Sequence, residues 1–221
     1  MNPVFWALVR KDLYLMRGFI IATIAGGLLA FVISGWGSAG KAVGGILFLT
    51  VSVASGIFIA MLGVLAERVK NVRLFVLSLP ISGRQYALAK LLSTWLIYGI
   101  AWLALTVLAV LAFVIPPEAK LGMVVYAVML QGFTLALFSV VLASLYIIRS
   151  EPVSGIAILV VNICFSLFMV WLNQPHIRQV LATDTVVWPP FSRLMLTGEA
   201  LVILASLAFV MIVSSRTRDY A

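Results

Sequence analysis

Charged residues are spaced along the chain so that uncharged, largely apolar runs remain at 18–40, 42–66, 91–117, 121–148, 152–175 and 200–215. An α-helix rises about 1.5 Å per residue and the hydrocarbon core of a bilayer is roughly 30 Å thick, so each run is long enough for one crossing, the last only just. The runs are continuously apolar instead of alternating at every second residue, and they exceed the roughly ten residues of a membrane strand, which excludes a β-barrel. The predicted fold is all-α: one transmembrane domain over 1–221, with spans at about 18–36, 42–66, 88–115, 121–148, 153–173 and 199–215. A mean hydropathy of +1.19 places the chain outside the range of soluble proteins.

Residues 2–17 precede the first run. Asn2 followed by Pro3 is a helix start, with a capping side chain and then a residue whose missing N–H is no loss at the first helical position. On a helical projection Val4, Phe5, Leu8, Val9, Leu13, Leu15 and Met16 share one face, and Arg10, Lys11, Tyr14 and Arg17 the other. Asp12 alone falls on the apolar side. The pattern predicts an amphipathic helix lying in the membrane interface; the alternative is an extension of span one. Span one begins too late and runs too long for a cleavable signal segment, so it is read as retained, although SGWGSAG after it is rich in small residues. Ala22, Gly26, Ala30 and Ser34 in span one, and Ser52, Gly56 and Ala60 in span two, recur every four residues and predict close helix packing.

Six spans put both termini on one side. Arg10, Lys11, Arg17, Arg68, Lys70, Arg73, Arg84, Lys90, Arg149, Arg216 and Arg218 gather there, against Lys41, Lys120, Arg178 and Arg193 on the other. The positive-inside rule makes the first side cytoplasmic. The net charge of +8 is then accounted for by loops beside anionic lipid headgroups, with no need of nucleic acid.

The candidate chemistry is sparse. Cys164 is the only cysteine, which rules out an intramolecular disulfide, and it is read as a small apolar packing residue in span five. His176 is the only histidine, so no catalytic residue and no metal site is predicted. GWGSAGK followed by Ala42 nearly matches a phosphate-binding loop, but Ala42 has no hydroxyl for Mg²⁺ and no strand precedes it. It is read as the turn between spans one and two. Every Asp and Glu falls near a predicted membrane boundary, so no ionisable group is expected at depth. If a solute moves, its driving energy enters at the membrane surface. Gln131 and Asn162 are the polar candidates for a solute pathway.

Residues 67–90, ERVKNVRLFVLSLPISGRQYALAK, hold six charged residues. Val69, Val72, Phe75, Val76 and Leu79 form one helical face, Pro80 ends that helix, and Ser82 with Gln85 has the S-x-x-Q spacing that caps a new helix running into span three. On physics alone, this segment either anchors two spans by its charge or bears a load.

The RKD pattern at Arg10 to Asp12, the six spans, the segment opening with Glu67 and above all LFVLSLPISGRQYALAKLL resemble permease subunits of the type 2 ATP-binding-cassette (ABC) exporters. The resemblance covers the whole topology, and its specific part is about 25 residues around Leu79 to Lys90. It implies a permease in the bacterial cytoplasmic (inner) membrane, pairing with a second copy or a homologue. It also implies separate ABC ATPase subunits holding the ATP and Mg²⁺, and no cofactor in this chain. On this resemblance the 67–87 loop is the coupling element, and Glu67, Arg68, Lys70, Arg73 and Arg84, together with Arg10, Lys11 and Asp12, are candidate ATPase contacts. Residues 174–198 correspond to the family's external segment between the last two spans, often built of short re-entrant helices. Two other readings stand beside it: a substrate-capture membrane subunit of an importer, and a membrane assembly factor that moves no solute.

Overall fold

The computed structural model describes residues 3–69, 83–116, 120–148 and 150–216. Seven helices account for nearly all of them: α1 (Pro3–Ser34), α2 (Gly37–Val69), α3 (Gly83–Val114), α4 (Met123–Ile147), α5 (Glu151–Leu172), the short α6 (Pro175–Leu181) and α7 (Pro190–Arg216). No strand occurs among the described residues. All but α6 are long and apolar enough to cross a membrane. The chain is a multi-pass membrane protein.

The helix ends refine the expected boundaries. No break separates the predicted interfacial helix from span one: residues 3–34 form one helix, because nothing near Arg17 and Gly18 terminates it. The expected Gly-rich turn shrinks to Gly35 and Trp36, and Gly37 opens α2 at a φ of +72°, a conformation that suits glycine. Glu67 to Val69 belong to the end of α2, so no new helix begins at Glu67; the rest of the expected surface helix and Pro80 lie outside the described residues. The helix expected after the cap does begin, at Gly83.

Contacts fix the directions. Gly26 faces Val51 and Gly44 faces Ala30 and Ser34, so α1 and α2 are antiparallel; Asp12 meets Ser93 and Gly27 faces Leu105, so α1 runs parallel to α3. With 32, 33 and 32 residues, α1, α2 and α3 are each about 48–50 Å long, well beyond the roughly 30 Å of a hydrocarbon core. The start of α1, the end of α2 and the start of α3 lie at the same end of the bundle. The helices α4 and α5 are shorter, with 25 and 22 residues.

The central helix is α4. Its apolar residues surround the axis, as expected of a helix covered on all sides, and it packs on α2, α3, α5 and α7. Ser52, Gly56 and Ala60 of α2 are buried as the small-residue pattern predicts; in α1 Ala30 is buried while Ala22 is exposed. Cys164 is exposed, contrary to the expected packing role: α5 is apolar on every face, so its sequence pattern carries no signal of which side is covered. At the other end α6 lays Ile177 and Leu181 against Val125, Met129 and Leu130 of α4, and Gly122 N–H donates to Thr183 O at 2.9 Å. The segment folded over that end is thus shorter than 174–198, because α7 already begins at Pro190.

Candidate coupling site

The end at which α1 and α3 begin is built on a seam between those two helices. Phe5 and Val9, four residues apart on α1, and Ala89 on α3 are buried together, ringed by Leu8, Leu13, Leu88 and Leu92. Asp12 continues the same face and is only 8% exposed. Its misplacement on the apolar side of the projection is explained by its partners. Asp12 Oδ2 accepts a hydrogen bond from Lys90 Nζ at 3.0 Å and lies 2.9 Å from Ser93 Oγ. Ser93 Oγ also lies 3.0 Å from the Lys90 carbonyl, so its single proton is shared between the two acceptors. Lys11 Nζ stands 3.7 Å from Asp12 Oδ1 but is half exposed and contributes little.

A carboxylate drawn out of water is tolerable only when its oxygens are met by charge or by donors. Here the donors come from a helix 78 residues away in sequence. Lys90 sits two turns after Gly83, where α3 emerges from the 70–82 segment. The pair therefore fixes α1 to the first part of α3 that follows that segment.

The opposite face of α1 is open. Trp6, Arg10, Lys11 and Tyr14 line a shallow groove, and the Arg17 guanidinium lies 4.1 Å from the Tyr14 ring centroid. Of the sequence candidates, Arg10 and Lys11 are exposed there, while Asp12 points the other way and is occupied internally. Glu67, Arg68 and Arg84 lie on helices at this end, with side chains outside the described residues, and Lys70 and Arg73 lie in the segment that is not described.

The two pathway candidates are elsewhere. Gln131 is fully buried inside the bundle: its backbone carbonyl accepts from Trp102 Nε1 at 2.7 Å and from Thr134 Oγ1 at 2.8 Å, and its side-chain Nε2 is 3.5 Å from Ser52 Oγ. The Trp102 bond ties α3 to the α4 backbone, and the Gln131 side chain reaches Ser52 of α2. Asn162 Nδ2 donates to Ile158 O of its own helix at 2.9 Å.

Sequence reasoning missed two residues. Lys90 was counted only as loop charge, and Glu199 was placed at a membrane boundary. Because α7 begins at Pro190, Glu199 lies nine residues inside a spanning helix and is buried, which corrects the expectation that no ionisable group lies at depth. The signal was the Pro-Pro pair at 189–190, since proline is favoured at the first helical position.

No curated protein and no solved structure matches the chain. A family model described as ABC-2 family transporter protein matches residues 7–217, which takes in α1 from Ala7 onward and the six helices after it. The chain belongs to the ABC-2 family of transporter proteins.

Proposed function

We propose that this chain is the permease of an ATP-driven exporter of the bacterial cytoplasmic membrane, working as a pair with a second copy or a homologue. ATP and Mg²⁺ are held by separate ATPase subunits, where hydrolysis takes place. The observation that carries the coupling is the Asp12–Lys90 pair at the end of the bundle where α1 and α3 begin and α2 ends. In this reading the ATPase docks on the 67–87 loop and on the open Trp6–Arg10–Lys11–Tyr14 face of α1. Its closure displaces the start of α3, and the buried ion pair carries α1 along. Two elements that meet the ATPase thus move as one, switching the spans between inward- and outward-facing states. Asp12 transmits this motion and does not itself touch the ATPase.

Reversal of Arg68, Lys70 and Arg73 to Glu together is expected to abolish permease-stimulated ATP hydrolysis in the reconstituted complex, with membrane insertion unchanged. Hydrolysis at the wild-type level would remove the loop from the coupling path. The orientation is tested separately. Replacing Cys164, the single cysteine, with Ser gives a background for placing cysteines at Arg178 and at Arg10. An impermeant maleimide added to whole cells is expected to label the first and spare the second; the reverse pattern would invert the topology.

A further inference from the structure

Two carboxylates are buried among the described residues, Asp12 and Glu199, and the structure treats them differently. Asp12 has Lys90 and Ser93. Glu199 is 6% exposed, and neither Oε1 nor Oε2 has a hydrogen-bond partner. Its depth makes this costly. Glu199 is nine residues from the start of α7, and Gly132, which it touches, is nine residues from the start of α4. Both therefore lie about 14 Å along their helices from the α6 end, toward the middle of the hydrocarbon. Gly132 makes the room: a Cβ there would meet Glu199 Oε2. The surroundings are apolar, with Met129 and Phe133 of α4 and Met195 and Leu196 of α7 in one cluster. An ionisable side chain placed so deep marks a site of function more often than of stability.

We propose that Glu199 is the counter-charge for a lipophilic organic cation, the solute class this permease carries; this rests on the transport reading above. The donor set selects the ligand. A metal ion needs several oxygen ligands, and the described residues hold no group of three or more histidine, cysteine, aspartate or glutamate side chains that could supply them. One carboxylate within apolar walls matches a molecule with one positive charge and an apolar remainder. The route is short, because α7 packs chiefly along α4 and less on α3, and parting the α4–α7 seam brings a cation from lipid to the carboxylate.

The test uses the full-length permease in nanodiscs of zwitterionic lipid, with radiolabelled tetraphenylphosphonium as the probe and empty nanodiscs as the blank. Saturable binding is expected for the wild type, displaced by dodecyltrimethylammonium and not by dodecanol. Glu199→Gln, which keeps the shape and removes the charge, is expected to weaken binding at least tenfold, and Glu199→Asp to retain much of it. Gly132→Ala, which crowds the carboxylate, is expected to weaken it as well. Equal affinity in wild type and Glu199→Gln, as for an acid that only carries a proton, overturns the proposal, and so does the absence of saturable binding. Each variant is checked for an unchanged elution profile, and Glu199→Asp reads the charge requirement should the Gln variant fail that check. No ATPase is present, so a permease that recruits no ATPase would refute the transport reading and leave this binding result standing on its own.

Discussion

Lys90→Leu is expected to destabilise the protein by about 3 kcal/mol and to uncouple it from its ATPase. Removing one member of a buried ion pair leaves the other charge uncompensated, at a cost of about 3–5 kcal/mol. The lower end applies because Ser93 Oγ remains 2.9 Å from Asp12 Oδ2. The double variant Asp12→Leu/Lys90→Leu separates stability from coupling. Replacing both charges with apolar groups removes the desolvation penalty along with the attraction, and is often neutral or stabilising. The double variant is therefore expected to unfold in denaturing detergent within about 1 kcal/mol of the wild type. Its stimulated ATP hydrolysis is nevertheless expected to stay low, because apolar contact can slide where a directed ion pair cannot. Recovery of stimulated hydrolysis in the double variant would make the pair a structural fastening only. A further arm, the exchange Asp12→Lys/Lys90→Asp, tests direction dependence: it preserves the pair but reverses it, and restored coupling would show that the link matters and not its polarity.

The length of the uncharged runs was enough to count six spans, because the bilayer imposes a length that the sequence must meet. Less could be read where the pattern had no competing signal. The continuity of α1 through Arg17 and Gly18 follows from the lack of a breaker, yet the change from amphipathic to uniformly apolar character reads as a boundary. Asp12 was visible as an anomaly, a carboxylate on an apolar face, and such an anomaly predicts a partner without naming it. Helical periodicity gives the face of one helix and says nothing of which helix lies opposite, so Lys90 and Ser93 could not be found from it. Glu199 was hidden by the rule that identified the spans. Drawing boundaries at charged residues assigns every acid to a boundary by construction, and Pro190 is the better marker of where α7 starts. Gln131 is unusual at depth, and a polar side chain there serves helix association as readily as solute contact; its Nε2 lies 3.5 Å from Ser52 Oγ of the neighbouring helix.

Gly44→Leu is expected to abolish recovery of folded protein, whereas Gly45→Leu is expected to leave yield and elution profile unchanged. The two glycines are neighbours on α2, with the same composition around them, and differ only in what they face. A Cβ at Gly44 would stand 2.6 Å from Ala30 O, 2.7 Å from Ser34 N and 2.8 Å from Ser34 Cβ, whereas one at Gly45 would meet nothing within 4 Å. Two of the three atoms at Gly44 are backbone, so no side chain can rotate aside and α1 itself must move. Overpacking against side chains typically costs about 1–3 kcal/mol, and displacing a helix backbone is expected to exceed that. Lipid offers little compensation, since apolar helices gain no hydrophobic energy by associating in it and depend on close van der Waals contact. The consequence reaches the other end of the molecule. Because α1 runs unbroken from Ser34 back to Pro3, tilting it away from Gly44 also moves Asp12 against Lys90. A milder change, Gly44→Ala, is therefore expected to lower stimulated ATP hydrolysis before it lowers yield, measured on the fraction that elutes as folded protein. Wild-type yield and hydrolysis for Gly44→Leu would mean that α1 and α2 do not meet at this glycine, and that α1 does not work as a single rigid lever.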